Sequence, residues 1–537
     1  MEHTKPSYYI TTPIYYVNAK PHLGTAYCTI LADVQARFRR ACGCDVKFLT
    51  GMDEHGEKVA EAAGKNGFDS PQAWCDSMEP AFADLWRTLE ISNDDFIRTT
   101  QPRHIAGVQK FLQVLLDRGY IYKGAYDGWY CRPDETYFTD TQVRHHEEDR
   151  RAAGEEPADP EHPLCPDCDR PLERIKEESW FFKLSEFQQP LLDFYEAHPD
   201  FIQPETRRNE VLSFVKGGLK DLSISRSTFD WGVPFPFDEK HVAYVWVDAL
   251  INYITALGYG SDDESEFHRR WPAQVHVVGK DIIRFHCVIW PALLMAAGLP
   301  LPERVFVHGF LTVRNEETGK IEKMSKSRGN AIAPEEVIDL LGVEAYRYYF
   351  MTDVAHGTDA PISWGRMRQV YNADLANSWG NLVSRTLNMS AKYFDGCAPV
   401  RPADYDAPSP VRDACAGVFE RYAAAMEQMD YGAAAGEVLA IVSAANHYIE
   451  DSAPWALAKD PEKADELARV IWSLIEVIRI AAELYEPFMP CISAEVRRRL
   501  SLSTEPSTDL ASACVWGGLA GGEPVEKGDP LFPRLVD

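Results

Sequence analysis

The N-terminal segment restricts the fold more than any other part of the chain. Ser7–Val17 (SYYITTPIYYV) is a β-branched and aromatic run that ends at Asn18 and Pro21, the pattern of a strand. Ala26, Ile30, Leu31, Val34 and Phe38 then recur at helical spacing, which predicts a helix over Ala26–Cys42 stopped by Gly43. Asp45–Thr50 (DVKFLT) reads as a second strand, with Gly51 and Asp53 at its C-terminal end. Strand, helix and strand in such short order imply a parallel sheet, whose ligands bind beyond the carboxyl ends of the strands. The turn PHLGT (21–25) puts a histidine and a glycine where strand gives way to helix, a place able to hold a nucleotide phosphate.

At 537 residues the chain exceeds a single hydrophobic core, which stops growing near ~250–300 residues, so three or more modules are expected. The net charge of −27 argues against a generic nucleic-acid binder, although local basic patches remain compatible with one. The N-terminus lacks a basic region followed by an apolar one. The longest apolar stretch, Val288–Leu299, contains a proline and falls short of the ~20 residues that span a bilayer. A soluble, cytoplasmic protein is expected, and its twelve cysteines are expected to stay reduced. Cys28, Cys75, Cys287, Cys397, Cys415 and Cys491 sit in helix-like patterns as small buried residues, whereas Cys131, Cys165 and Cys168 stand apart.

Residues 119–233 are irregular and include the charged stretch His145–Pro163, whose composition predicts a mobile loop. The α/β pattern then resumes. Val242–Val247 and Gln274–Val278 are strand-like, Asp281–Ala297 reads as a helix, and Glu303–Val313 as another strand. From about Met367 strand signals nearly vanish, and the Ala/Leu/Ile-rich segments 430–451 and 463–485 indicate a helical bundle with joints at Ala453–Trp455 and Glu486–Pro490.

Between Gly319 and Gly329 lies the loop Lys323–Ser327 (KMSKS), followed by Arg328, Gly329 and Asn330. A lysine loop supplies the positive charge that a pentavalent phosphorus needs in its transition state. PHLGT and KMSKS together resemble the paired signature of the class I aminoacyl-tRNA synthetases. Three segments between them narrow the resemblance to methionyl-tRNA synthetases: Pro13–Tyr16 (PIYY), Tyr244–Leu250 (YVWVDAL) and Gly279–His286 (GKDIIRFH), with Trp290 four residues later. On the helix expected there Ile282, His286 and Trp290 are four apart and therefore share one face.

The resemblance implies a fold and a set of roles. The architecture would be an α/β Rossmann-type nucleotide-binding domain split by an insertion and followed by an α-helical anticodon-binding bundle. Its parts are 1–118 and 234–322 for the catalytic halves, 119–233 for the insertion, 323–366 for the lysine loop and stem-contact segment, and 367–537 for the bundle. His22, Gly24, Thr25 and Lys326 would bind ATP, which enters with Mg2+, with Lys326 stabilising the triphosphate and Lys323 assisting. The family usually has a second histidine where Thr25 stands; threonine keeps a donor but no cation, which points to slower chemistry. Ile14, Tyr16, Trp246, Ala249, Leu250, Tyr253, Ile282, His286 and Trp290 would wrap the methionine side chain, and Asp53 would hold its ammonium.

Related enzymes often carry zinc in the insertion. Here Cys131, Asp134, Cys165 and Cys168 form the candidate set, with His162 as an alternative fourth ligand, or hydrophobic packing alone holds a degenerate remnant. Asn381, Arg385 and Trp455 would read the anticodon, the tryptophan by stacking on an unpaired base. The implied reaction joins methionine to tRNA(Met) through an adenylate, in a monomer. The rivals are a synthetase for another amino acid, such as cysteine or a branched aliphatic, and a catalytically silent tRNA-binding paralogue.

Overall fold

The computed structural model describes residues 5–536, except 316–317 and 325–331. Lys326 therefore lies outside the described residues, as does the side chain of Lys323. Six strands form the central sheet: β1 (Ser7–Tyr16), β2 (Asp45–Asp53), β3 (Asp95–Arg98), β4 (Ile202–Gln203), β5 (Val275–Gly279) and β6 (Val305–His308). Every pairing is parallel and the order is 3-2-1-5-6-4. Tyr8–Thr12 of β1 are all buried, as expected of a sheet covered on both faces. Alternate residues enter different cores, Tyr8 and Ile10 one and Tyr9 the other. The register between β1 and β2 shifts between Thr11 and Ile14, around Pro13, which has no N–H to give to a ladder. The chain order reverses between β1 and β5, so a crevice opens beyond their carboxyl ends.

Helix α1 (Leu23–Ala41) starts three residues before the expected Ala26, because His22 caps it. Helix α2 (Glu57–Lys65) follows β2 closely. In the 119–233 region Ile121–Cys131 pairs with Glu173–Phe182, and Thr136–Phe138 adds to its edge. The expected mobile loop 145–163 is corrected in its first half, since 145–152 complete a helix over Asp140–Ala152. A Thr139–Gln142 capping box starts that helix, a local signal that composition does not register. The same region also returns β4 to the edge of the central sheet.

Three further expectations are corrected. The strand expected over Val242–Val247 ends at Ala243, and α3 (Val245–Thr255) follows at once. An apolar run that is fully buried does not distinguish strand from helix. The helix expected over Asp281–Ala297 is three pieces: a 3₁₀ turn at Lys280–Ile282, a π-helix at Phe285–Ile289 and α4 (Trp290–Ala297). The expected strand Glu303–Val313 is β6 plus a separate strand Leu311–Arg314, which pairs antiparallel with Ile321–Lys323.

Beyond Trp364 the described residues are mainly helical, with α5 (Tyr431–Ser452) packed against α6 (Ala464–Tyr485). Arg347 locks this region to the sheet. Fully buried, it pairs with Asp33 of α1 at 2.7 Å and donates to the carbonyls of Leu89, Pro487 and Phe488. None of the twelve cysteines is in a disulfide. Cys28, Cys75, Cys287 and Cys415 are buried as expected, but Cys491 is exposed and Cys397, half-buried, lies outside the helices and bridges to Pro524. Among the described residues no helix is long and apolar enough to cross a membrane.

Candidate active site

A cleft of about 1500 Å³ occupies the crevice. Ile14, Tyr16, His22, Gly24, Thr25, Asp53, Trp246, Ala249, Leu250, Tyr253, Ile282 and His286 all line it, drawn from five separate segments of the sequence. Trp290 does not; it is fully buried in the core against Trp271 and Phe111.

At the start of α1, His22 is the N-cap. Its Nδ1 accepts the backbone N–H groups of Gly24 (3.1 Å) and Thr25 (3.3 Å), which assigns the ring proton of a neutral imidazole to Nε2, a donor. Thr25 Oγ1 accepts the His22 N–H at 3.4 Å, closing a capping box. Thr25 thus has a structural task, and its hydroxyl proton remains able to donate. A side chain at Gly24 would press on the His22 ring, with a Cβ only 3.1 Å from Cε1.

Asp53, at the end of β2, is buried beside Tyr16, its register partner in β1. One of its carboxylate oxygens, Oδ1, has no hydrogen-bond partner among the described residues. Burial drives its carboxyl well above the usual range, and the nearby carboxylates of Asp248 and Glu135 add to the rise. Asp248, buried on α3, is built oppositely. It accepts from His55 (2.6 Å) and His104 (2.8 Å), and these two rings outweigh burial and bring its carboxyl down to about 2. Two neighbouring buried carboxylates therefore differ: both oxygens of Asp248 are partnered, while Oδ1 of Asp53 is not among the described residues. An unsatisfied buried carboxylate is a place for a ligand cation.

The wall beside it is aromatic and uncharged. Trp246 stacks on Phe285 with centroids 4.0 Å apart and planes 15° from parallel. His286 Nδ1 donates to the Ile282 carbonyl (3.0 Å), so Nε2 accepts from the Tyr253 hydroxyl (2.6 Å). His276 accepts from Trp290 Nε1 (3.3 Å) and donates to Thr11 Oγ1 (2.7 Å). Burial holds His286 down at about 4 and His276 well below its ordinary value, so both rings are neutral near pH 7. An apolar, polarizable side chain suits such a wall.

The π-helix explains where the periodicity argument went astray. With i→i+5 bonding over Phe285–Ile289, residues four apart no longer share a face. Phe285, which spacing passed over, joins the wall, and Trp290 turns into the core.

In the insertion, Cys131, Asp134, Cys165 and Cys168 converge, with one ligand atom from each lying within 4.8 Å of all the others. Asp134 Oδ2 is 3.1 Å from Cys131 Sγ and 3.4 Å from Cys165 Sγ, and the Asp167 N–H donates to Cys165 Sγ at 3.4 Å. Three thiols and a carboxylate at this spacing suit a tetrahedral ion with metal–sulfur bonds of ~2.3 Å. His162 stands outside the group, its ring 3.4 Å from the Leu172 carbonyl, and Asp134 is the fourth member of the cluster.

In the helical region the three anticodon candidates gather near the C-terminal end of α5. Asn381 Nδ2 donates to Asn446 (3.3 Å) and Arg385 pairs with Glu450 (2.7 Å), both on α5. Trp455 follows that helix after the left-handed Ala453 and is 42% exposed, so it does not pack inside.

Known proteins resemble this chain over nearly its whole length. Residues 8–387 match the family model for class I tRNA synthetases (M), and 410–537 match the anticodon-binding domain of methionyl tRNA ligase. The methionine--tRNA ligase of Streptomyces coelicolor is 46% identical over 99% of this chain and 97% of its own length. That of Caldanaerobacter subterraneus subsp. tengcongensis is 45% identical over 99% of this chain and 79% of its own. Mycobacterium tuberculosis methionyl-tRNA synthetase, solved in complex with methionyl-adenylate, superposes with a TM-score of 0.89 at 40% identity, covering 98% of this chain and all of the other. Matched over nearly its whole length, the chain belongs to the methionyl-tRNA synthetase family of class I aminoacyl-tRNA synthetases.

Proposed function

We propose that the crevice activates methionine with ATP and that the same chain transfers it to tRNA(Met). The observation that carries the assignment is Asp53, a buried carboxylate with an unpartnered oxygen beside a neutral aromatic wall. Methionine's ammonium meets Asp53, and its thioether lies among Tyr16, Trp246, Phe285, Tyr253 and His286, with Ile14, Ala249, Leu250 and Ile282 completing the surface. The methionine carboxylate attacks the α-phosphorus, forming the P–O bond of methionyl adenylate as the bond to pyrophosphate breaks. The terminal ribose hydroxyl of the tRNA then attacks the methionyl carbonyl and AMP leaves.

Because a carboxylate is already a competent nucleophile, the protein's work is positioning and charge stabilisation. His22 Nε2 donates to a phosphate oxygen, Gly24 lets the nucleotide approach the backbone, Thr25 adds a hydroxyl donor, and Lys323 and Lys326 of the loop take up charge as pyrophosphate departs. Magnesium entering with ATP would neutralise charge on the triphosphate. Zinc, held by Cys131, Asp134, Cys165 and Cys168, would tie the Cys131–Asp134 turn to the Cys165–Cys168 knuckle within the insertion. Trp455, Asn381 and Arg385 read the anticodon loop. We read the protein as a cytoplasmic monomer, which equilibrium sedimentation of the purified chain tests.

ATP–pyrophosphate exchange tests the assignment. Methionine should stimulate it and cysteine, valine and isoleucine should not; exchange indifferent to methionine would reject the activity. Homocysteine, one methyl short, should be the misactivated analogue, because a pocket rejects a missing methyl by only ~1–3 kcal/mol.

A further inference from the structure

We propose that Glu135 is a positioning residue for the amino-acid end of the crevice, holding the Tyr16 ring in place from the insertion. The inference rests on the reading of that crevice as a methionine site. Glu135 follows Asp134 in the cysteine-bearing turn, yet its side chain is only 4% exposed and plugs into the sheet domain rather than into the insertion. Its Oε2 accepts the Tyr16 hydroxyl at 2.8 Å, and its Oε1 accepts the Lys58 N–H, in the first turn of α2, at 3.2 Å.

The socket is shaped for this carboxylate. Gly56, with φ +102, leaves the space it fills: a Cβ there would lie 2.9 Å from Oε2, 3.0 Å from Oε1 and 2.6 Å from the Tyr16 hydroxyl oxygen. Glu135 itself has φ +48, a left-handed conformation that a non-glycine residue keeps only when its surroundings impose it. Two backbone carbonyls of the same turn reach other pocket residues. The Glu135 carbonyl accepts from the Tyr244 hydroxyl (2.5 Å) and the Asp134 carbonyl from Trp246 Nε1 (3.4 Å). Tyr16 and Trp246, two rings of the proposed thioether wall, are therefore oriented by adjacent residues of one turn.

The Tyr16 hydroxyl and the backbone N–H groups of Lys58 and Glu57 all donate to this carboxylate, whereas an amide has only one acceptor oxygen to give. Glu135 acts through Tyr16 and leaves the nucleotide end untouched, so its loss should appear in methionine binding alone. The test is exchange kinetics on Glu135→Ala, Glu135→Gln, Tyr16→Phe and the double variant Glu135→Ala/Tyr16→Phe.

Glu135→Ala should raise the KM for methionine about thirtyfold and Tyr16→Phe about tenfold, the range for losing a hydrogen bond to a charged group. Glu135→Gln should fall between wild type and alanine. In each the KM for ATP should stay within about twofold, and the double variant should be no worse than Glu135→Ala, because both changes break one interaction. A methionine KM unchanged in both Glu135 variants, equal shifts in the methionine and ATP constants, or losses that multiply in the double variant would overturn the proposal. If the alanine variant does not fold, Glu135→Gln and Tyr16→Phe decide by the same criteria. Wild-type exchange indifferent to methionine would instead sink the underlying reading of the crevice, before any variant is made.

Discussion

Asp33 and Asp53 are both buried carboxylates of the first half of the sheet domain, and their surroundings are opposite. Asp33, inside α1, meets Arg347 at 2.7 Å and Arg37 at 2.9 Å and accepts the N–H and hydroxyl of Ser92. Burial alone would raise its carboxyl, but these partners outweigh burial and hold it well below the usual carboxylate range. Asp53 keeps an unpartnered oxygen, and burial and neighbouring carboxylates push its carboxyl up. A buried charge whose partners belong to the protein is scaffold. One left without them, facing a cleft, is held ready for a ligand, and the fold loses stability to keep it so.

The contrast can be broken most sharply at the crevice. Asp53→Ala should lower kcat/KM for methionine in exchange by about 10³-fold, because truncating one partner of a buried charge pair costs ~2–5 kcal/mol. The same variant should melt no lower than the wild type, and a loss of stability matching the loss of activity would make Asp53 ordinary scaffold. At the other region, Arg347→Met should cost about 3–5 kcal/mol of unfolding free energy, read by urea denaturation, since it strips a fully buried ion pair of one partner.

Stability against pH should separate the two carboxylates by sign. Asp33 has a folded value below its unfolded value, so its contribution is present above pH ~3.9 and is lost as pH falls through the folded value. Asp53 has a raised folded value, so its neutral form favours folding below pH ~3.9, and that contribution disappears as pH rises through the folded value. Raising the pH from 3 to 7 should therefore make Asp33→Asn progressively less stable than the wild type and Asp53→Asn progressively more stable. Denaturant midpoints across that range check it, and parallel curves would erase the distinction.

The smallest effect is expected far from both. Trp455→Ala should reduce kcat/KM for tRNA about tenfold, the worth of one base stacked on an aromatic ring, and leave methionine-dependent exchange as it was. Loss of exchange would mean that Trp455 supports the fold instead.

Much of the site was legible where its signals are local. A β-branched run, a histidine at a helix start and a helical period placed β1, His22 and α1 correctly, because short-range sterics and capping decide those features. Asp53 was readable as a carboxylate at a strand end, and the cysteine spacing pointed to a cluster that the fold does assemble. Legibility failed where register or distance intervened. The π-helix at Phe285–Ile289 shifted the face that spacing had assigned, which hid Phe285 and misplaced Trp290 relative to the cleft. Glu135 gave no local sign at all, since its partner Tyr16 stands 119 positions earlier.

The sequence by itself therefore determined the first strands and helix, the parallel layering, the histidine at a helix start and the family's motifs, all consequences of backbone preference and side-chain period within a few turns. The tertiary structure alone decided which buried charges are satisfied. Asp33 finds Arg347 from 314 positions away, and Asp53 Oδ1 finds no partner among the described residues. Desolvation and Coulomb energy depend on what the folded chain packs around a group, and neighbours in sequence carry no record of that.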